Sequence, residues 1–248
     1  LLDSLKYLTA ASAALTQGGE IGGQRIAPAG EVLRVEATRF QQIWADVAPD
    51  VNDVINQQKV LVRFNQLAYQ GRVAAAELLA LNARATDAVR RAGSNPLELL
   101  LLAQTDLHLR TIVGELNRLM QTSDIRTDDA ALLARHIEGF SVARTAASDG
   151  NAALGLQPLR TPEARALVLQ SASRADAFVN AALEAQQALP ALDRARVAGK
   201  KVFFNSEKLT DAIATIRHSM TEARNLRGIG QWLVIGFGAL TLLGFLLL

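Results

Sequence analysis

The 248-residue chain contains no cysteine. That excludes a disulfide, a thiol nucleophile and every cysteine-ligated metal site. Aromatic residues make up only 5% of the chain although 50% of it is hydrophobic, so the apolar content is mostly Ala, Leu and Val. Small aliphatic side chains with few rings suit slender helix bundles better than sandwiches or barrels. No alternating apolar–polar run reads as a strand. No excess of one charge exists either: 26 basic and 24 acidic residues are interspersed, for a net charge of +2. Without a basic run or an aromatic–basic patch there is no footprint for nucleic acid.

Catalytic patterns are missing as well. His108, His136 and His218 lie far apart in sequence, show no ligand spacing of the HExxH kind, and read as surface or bundle-edge residues. Nucleophilic catalysis needs a base held beside a nucleophile, and no such pairing is legible. Residues 18–23 are glycine-rich but lack a preceding strand and a following Lys-Ser/Thr, so they read as a connector and not as a phosphate loop. The chain is read as non-catalytic, with no cofactor and no metal.

What is present is helical periodicity. Leu1, Leu5, Leu8 and Leu15 read as the tail of a helix, followed by a glycine-rich break over residues 18–28. From Gly30 to about Ala92 apolar residues recur at steps of three and four, among them Phe40, Ile43, Trp44, Val47, Val51, Val54, Leu61 and Val62. Ser94-Asn95-Pro96-Leu97-Glu98 is a helix start: Asn95 caps, Pro96 takes the first helical position and Glu98 the capping-box position. Leu109, Ile112, Val113, Leu116, Leu119 and Met120 follow on one face. Thr127-Asp128-Asp129 starts a helix to about Leu154, and Thr161-Pro162-Glu163 starts another whose stripe includes Leu167, Ala175, Phe178 and Ala182. Pro49 and Pro190 interrupt two of these runs. Unbroken apolar phase across Pro49 favours a kink; near-equal segments of roughly 27 residues, each ~40 Å long, favour a reversal into an antiparallel four-helix bundle. Reversal is the expectation. Gln58, in an apolar stripe, is expected to form a polar core layer that fixes register.

A weak repeat accompanies this pattern. Val62-Arg63-Phe64-Asn65 returns as Val202-Phe203-Phe204-Asn205, Pro49 as Pro190 and Phe40 as Phe178, at offsets of 138 to 141 residues. Residues 228–248 (GIGQWLVIGFGALTLLGFLLL) carry no charge. About 20 apolar residues cross a bilayer core of ~30 Å, and Trp232 sits where an interfacial anchor belongs. The fold class expected is therefore all-α, with two tandem antiparallel helical-bundle modules followed by a C-terminal transmembrane helix. Residues 1–92 form the first module, its opening helix missing, residues 93–227 the second, and residues 228–248 the span. Both ends read as cut from a longer protein.

Gln104 with Ile112-Val113 and Leu116-Asn117-Arg118-Leu119, then Asp176-Ala177-Phe178-Val179-Asn180 leading to Pro190, and the stretch from Trp44 to Phe64, together resemble the sensory region of the type IV pilus methyl-accepting chemotaxis transducer (PilJ) family. The resemblance covers most of residues 1–227 as scattered positions. It implies a periplasmic input domain at the bacterial inner membrane, paired as a homodimer, that senses pilin, surface contact or a small anionic ligand. Output would pass through an adaptor and a histidine kinase to pilus-driven twitching. In related nitrate and nitrite sensors a Gln and then an Arg-containing segment bear on the ligand. Gln104 and Arg110 fall near those positions, Arg110 one residue out of register. Guanidinium offers paired donors suited to an anion, so Gln104 and Arg110 are the candidate ligand residues; the alternative for Arg110 is a surface ion pair. The joint expected to carry a helix shift into the membrane is Leu226, Arg227 and Gly228. Two other readings stay open: the input domain of a nitrate/nitrite-type sensor histidine kinase, and a tail-anchored helical scaffold, which Arg224 and Arg227 before the apolar run would fit.

Overall fold

The computed structural model of the chain describes residues 2–122 and 124–222. In order these form α1 (Leu2–Gln17), β1 (Gly19–Ile21), β2 (Gln24–Ile26), α2 (Glu31–Arg91), α3 (Pro96–Gln121), α4 (Asp129–Asp149), a single 3-10 turn (Ala152–Leu154), α5 (Pro162–Gln170) and α6 (Ala172–Glu222). The chain divides into two compact units, one made of Leu1–Gln58 and Arg194–Leu248, the other of Lys59–Asp193.

The chain is overwhelmingly helical, yet the fold expected from sequence needs correction. No helix among the described residues is long and apolar enough to cross a membrane. The two longest, α2 with 61 residues and α6 with 51, expose charged side chains along their length, and length without an apolar circumference does not make a span. The expected span over residues 228–248, its anchor Trp232 and the joint Leu226, Arg227 and Gly228 lie outside the described residues. Nor are the units consecutive in sequence: α2 and α6 each give one half to either unit.

The expected reversals at Pro49 and Pro190 are absent, since both prolines sit inside continuous helices. A proline removes one hydrogen bond and frees the carbonyl four residues earlier, at a cost of about 3 kcal/mol inside a helix. Both prolines face solvent, and Ala45, whose carbonyl Pro49 frees, is exposed too. Water satisfies such a group, and the buried stripe on the opposite face runs on uninterrupted. The unbroken apolar phase was the better guide than segment length. Residues 18–28, read as a plain connector, contain a small antiparallel hairpin in which Gly19 pairs with Ile26 and Ile21 with Gln24.

In the first unit Leu8, Leu15, Phe40, Trp44, Val47, Leu209 and Ile216 form the core, and the Trp44 indole donates to Thr9 Oγ1 at 3.1 Å. In the second, Phe64, Leu67, Leu109, Ile112, Leu133, Phe140 and Phe178 are buried together. There Phe140 and Phe178 meet edge-on with centroids 5.6 Å apart.

Two loops of the chain share one geometry, at an offset other than that of the sequence matches. Phe64 is fully buried while Phe204 is 73% exposed, so those two are not equivalent. The matching pieces are the loops. Gly18 and Gly150 both close a helix with left-handed backbone, φ +75° and +84°, and a Cβ on either would lie 2.9 Å from a proline Cδ, of Pro28 and Pro158 respectively. In both loops the residue after that proline donates back to the preceding helix, Ala29 to Leu15 and Leu159 to Ala147, each at 3.0 Å. The offset is 130 to 132 residues. Buried Leu8, Ala11 and Ala14 then correspond to buried Phe140, Ala143 and Ala146. In helices with a seven-residue apolar period, registers that differ by seven bury the same faces. Only the loop distinguishes them.

Candidate functional site

α3 begins as its sequence dictates: the Asn95 side chain accepts from Leu97 N at 3.1 Å, and Pro96 follows as the first helical residue. Glu98, however, does not close a capping box. Its carboxylate is buried and reaches to the start of α5, accepting from Arg160 N at 2.9 Å and from the Thr161 hydroxyl at 2.7 Å. Thr161 therefore has no side-chain cap bond to α5.

With that anchoring, α3 turns Leu102, Leu109, Ile112, Leu116 and Leu119 into the core. The opposite face carries Leu97, Leu100, Gln104 and Leu107, at steps of three, four and three; the leucines are 65%, 54% and 59% exposed, and Gln104 is exposed among them. Arg110 is exposed beside this face and pairs with Asp106 one turn back, Nε to Oδ2 at 2.6 Å and Nη2 to Oδ1 at 3.3 Å. The bond to Asp106 holds the guanidinium above its ordinary value. Gln104 and Arg110 thus lie on one helix without touching each other among the described contacts, and an anion would have to displace Asp106. Gln58 is exposed and forms no core layer.

The structure brings together a pair that sequence reasoning dismissed. His108 on α3 and His136 on α4 place their Nδ1 atoms 3.0 Å apart. Their ring centroids are farther apart than the nitrogens, 5.3 Å, with planes tilted by 55°, so the two nitrogens lie between the rings as in an N–H···N hydrogen bond. Gly139 makes room: a Cβ there would stand 2.5 Å from His108 Cε1 and 2.6 Å from its Nε2. Burial, and then the neighbouring His136, hold His108 below its ordinary pKa. The available signal was the interior glycine of α4, three residues from a histidine, on a helix joined to α3 by a short connection.

One heptad further along the same interface lies a charged layer. Asp129 is 2% exposed. It accepts from Arg126 N at 2.9 Å and Arg126 Nε at 3.1 Å, and Arg118 Nη2 lies 2.6 Å from it. Glu115 binds Arg118 Nε at 2.8 Å. Burial pushes the Asp129 carboxyl up, but the bonds from Arg118 and Arg126 prevail and hold it below the usual range. Above these layers a cavity of about 20 Å³, lined by Asn82, Thr105, Arg144 and Ser171 among apolar side chains, has room for one water. Among the described residues no group of three or more His, Cys, Asp or Glu is placed to hold a metal.

A scan against protein-family models finds no match, and a search of the curated proteins finds none.

Proposed function

We propose that the chain is the non-catalytic input region of a chemoreceptor of the PilJ kind, which turns pilin, surface contact or a small anionic ligand into control of twitching motility. Its helical units work on the periplasmic side of the bacterial inner membrane, and output passes to an adaptor and a histidine kinase. The observation that carries this reading is α6: one unbroken helix of 51 residues that takes part in both units. A helix can pass on a shift of ~1–2 Å at one end to the other, which a loop cannot.

The α3 face supports pairing of two copies. Leu97, Leu100, Gln104 and Leu107 have the spacing of a coiled-coil seam, and Arg110 lies beside it. Gln104 then meets its own counterpart at the centre, and Arg110 is the residue that an anion at this seam would recruit from Asp106.

Deletion of the gene tests the reading. Twitching zones on agar should vanish and return with an intact copy, but not with one lacking residues 96–121. Normal twitching in the deletion strain would rule the function out.

A further inference from the structure

We infer that His108 and His136 form a proton-responsive latch between α3 and α4, a site whose ligand is the proton itself. The inference stands on the pair's geometry and does not depend on the chemoreceptor reading.

A hydrogen bond between two Nδ1 atoms holds one proton between the rings. His108 Nε2 packs against Gly139, and its one described hydrogen bond is the one to His136. Gly139 crowds that nitrogen and no described acceptor faces it, so a bare lone pair suits the place. His108 therefore donates from Nδ1 and His136 accepts, carrying its own proton on Nε2. An additional proton has two destinations. On His108 Nε2 it is forced against Gly139. On His136 Nδ1 it meets the N–H of His108 at 3.0 Å. Both loosen the contact between the two helices. The lowered pKa of His108 fits this, burial being its main cause.

The sign follows. A histidine whose folded-state pKa is depressed contributes stability that is full above its ordinary value of about 6.5 and lost as pH falls through the depressed one. Asp106 and Arg110, beside His108 on α3, are paired with each other. Glu115, Arg118, Arg126 and Asp129 form the neighbouring ion-paired layer, with Asp129 held ionised well into acid. Arg135 and Glu138, beside His136 on α4, are exposed.

The experiment is nitrogen-detected NMR of the imidazoles in the full chain at pH 7.5, with amide exchange over residues 104–112 and 132–140 at pH 7.5 and 5.0, corrected for intrinsic rates. The wild type should show His108 protonated on Nδ1 and His136 on Nε2. Its protection in those segments should fall about fivefold at the lower pH, the factor that one lost hydrogen bond makes. In His136→Gln and in His108→Gln that pH dependence should disappear. Two Nε2-protonated rings in the wild type, unchanged protection at pH 5.0, or a pH response that survives in either variant would overturn the latch; the wild-type tautomers decide it even where a variant fails to fold.

Discussion

Replacing Asp129 by Asn should be the most informative single change at the α3–α4 interface. The carboxylate is buried and takes two bonds from Arg126 and a 2.6 Å contact from Arg118. Removing one partner of a fully buried pair costs about 3–5 kcal/mol, chiefly because the remaining charge is stranded. Here the partners are not stranded: the Arg118 side chain is 32% exposed and that of Arg126 64%, so water takes over part of their solvation. The expected loss is therefore about 2 kcal/mol, the scale of one or two hydrogen bonds to a charged group. Its pH dependence is fixed by the depressed carboxyl. The stabilisation is complete above the ordinary carboxylate value of about 3.9 and disappears as pH falls through the lower folded-state value, where the wild type comes to resemble the variant. Urea unfolding of both proteins at pH 7 and at successively lower pH, with equal slopes, measures the gap. A gap below about 0.5 kcal/mol at pH 7, the level of a surface substitution, or one that stays constant into acid, refutes this reasoning.

The two loop glycines, alike in geometry, should behave alike. Gly18→Ala and Gly150→Ala each place a Cβ 2.9 Å from a proline ring in left-handed backbone, and each should cost about 1–3 kcal/mol in thermal unfolding; Gly155→Ala, left-handed but with open space around it, should cost only about 1 kcal/mol. Leu107→Glu should convert a dimer to a monomer in sedimentation while the helix content by circular dichroism stays the same, because the side chain is 59% exposed in the single chain. Arg110→Ala should change stability by no more than about 0.5 kcal/mol, as for other exposed ion pairs, while abolishing any affinity for nitrate in calorimetry; retained affinity would remove Arg110 from the ligand site.

Much of the helical layout is legible in the sequence because its signals are local. Asn95-Pro96 starts α3 by capping chemistry that needs no tertiary partner, and the run from Phe40 to Val54 buries one side by period alone, although Val62, read as its continuation, is 51% exposed. What escaped reading depends on distant neighbours. Glu98 matches a capping box, yet Arg160 and Thr161 compete for its carboxylate from 62 and 63 residues away. Pro49 reads as a break unless it is known to face water. Gln58 looks internal by period but falls at the edge of the stripe, where the helix turns its polar side outward. The sequence matches at offsets of 138 to 141 residues do not coincide with the shared loop geometry, since a heptad pattern leaves the register undetermined until Gly18 and Gly150 fix it. His108 and His136 are 28 residues apart, and no spacing rule anticipates a pair made across two helices.

Passage of a signal along α6 is the central step of the proposed function, and methylation of the full-length protein in living cells tests it most directly. A Gly-Gly-Pro-Gly segment in place of residues 205–208 interrupts α6 where no side chain is buried. Wild-type cells moved from liquid to a surface should change their receptor methylation, and the variant, present at the same level, should not. An equal response in the variant would contradict transmission through α6.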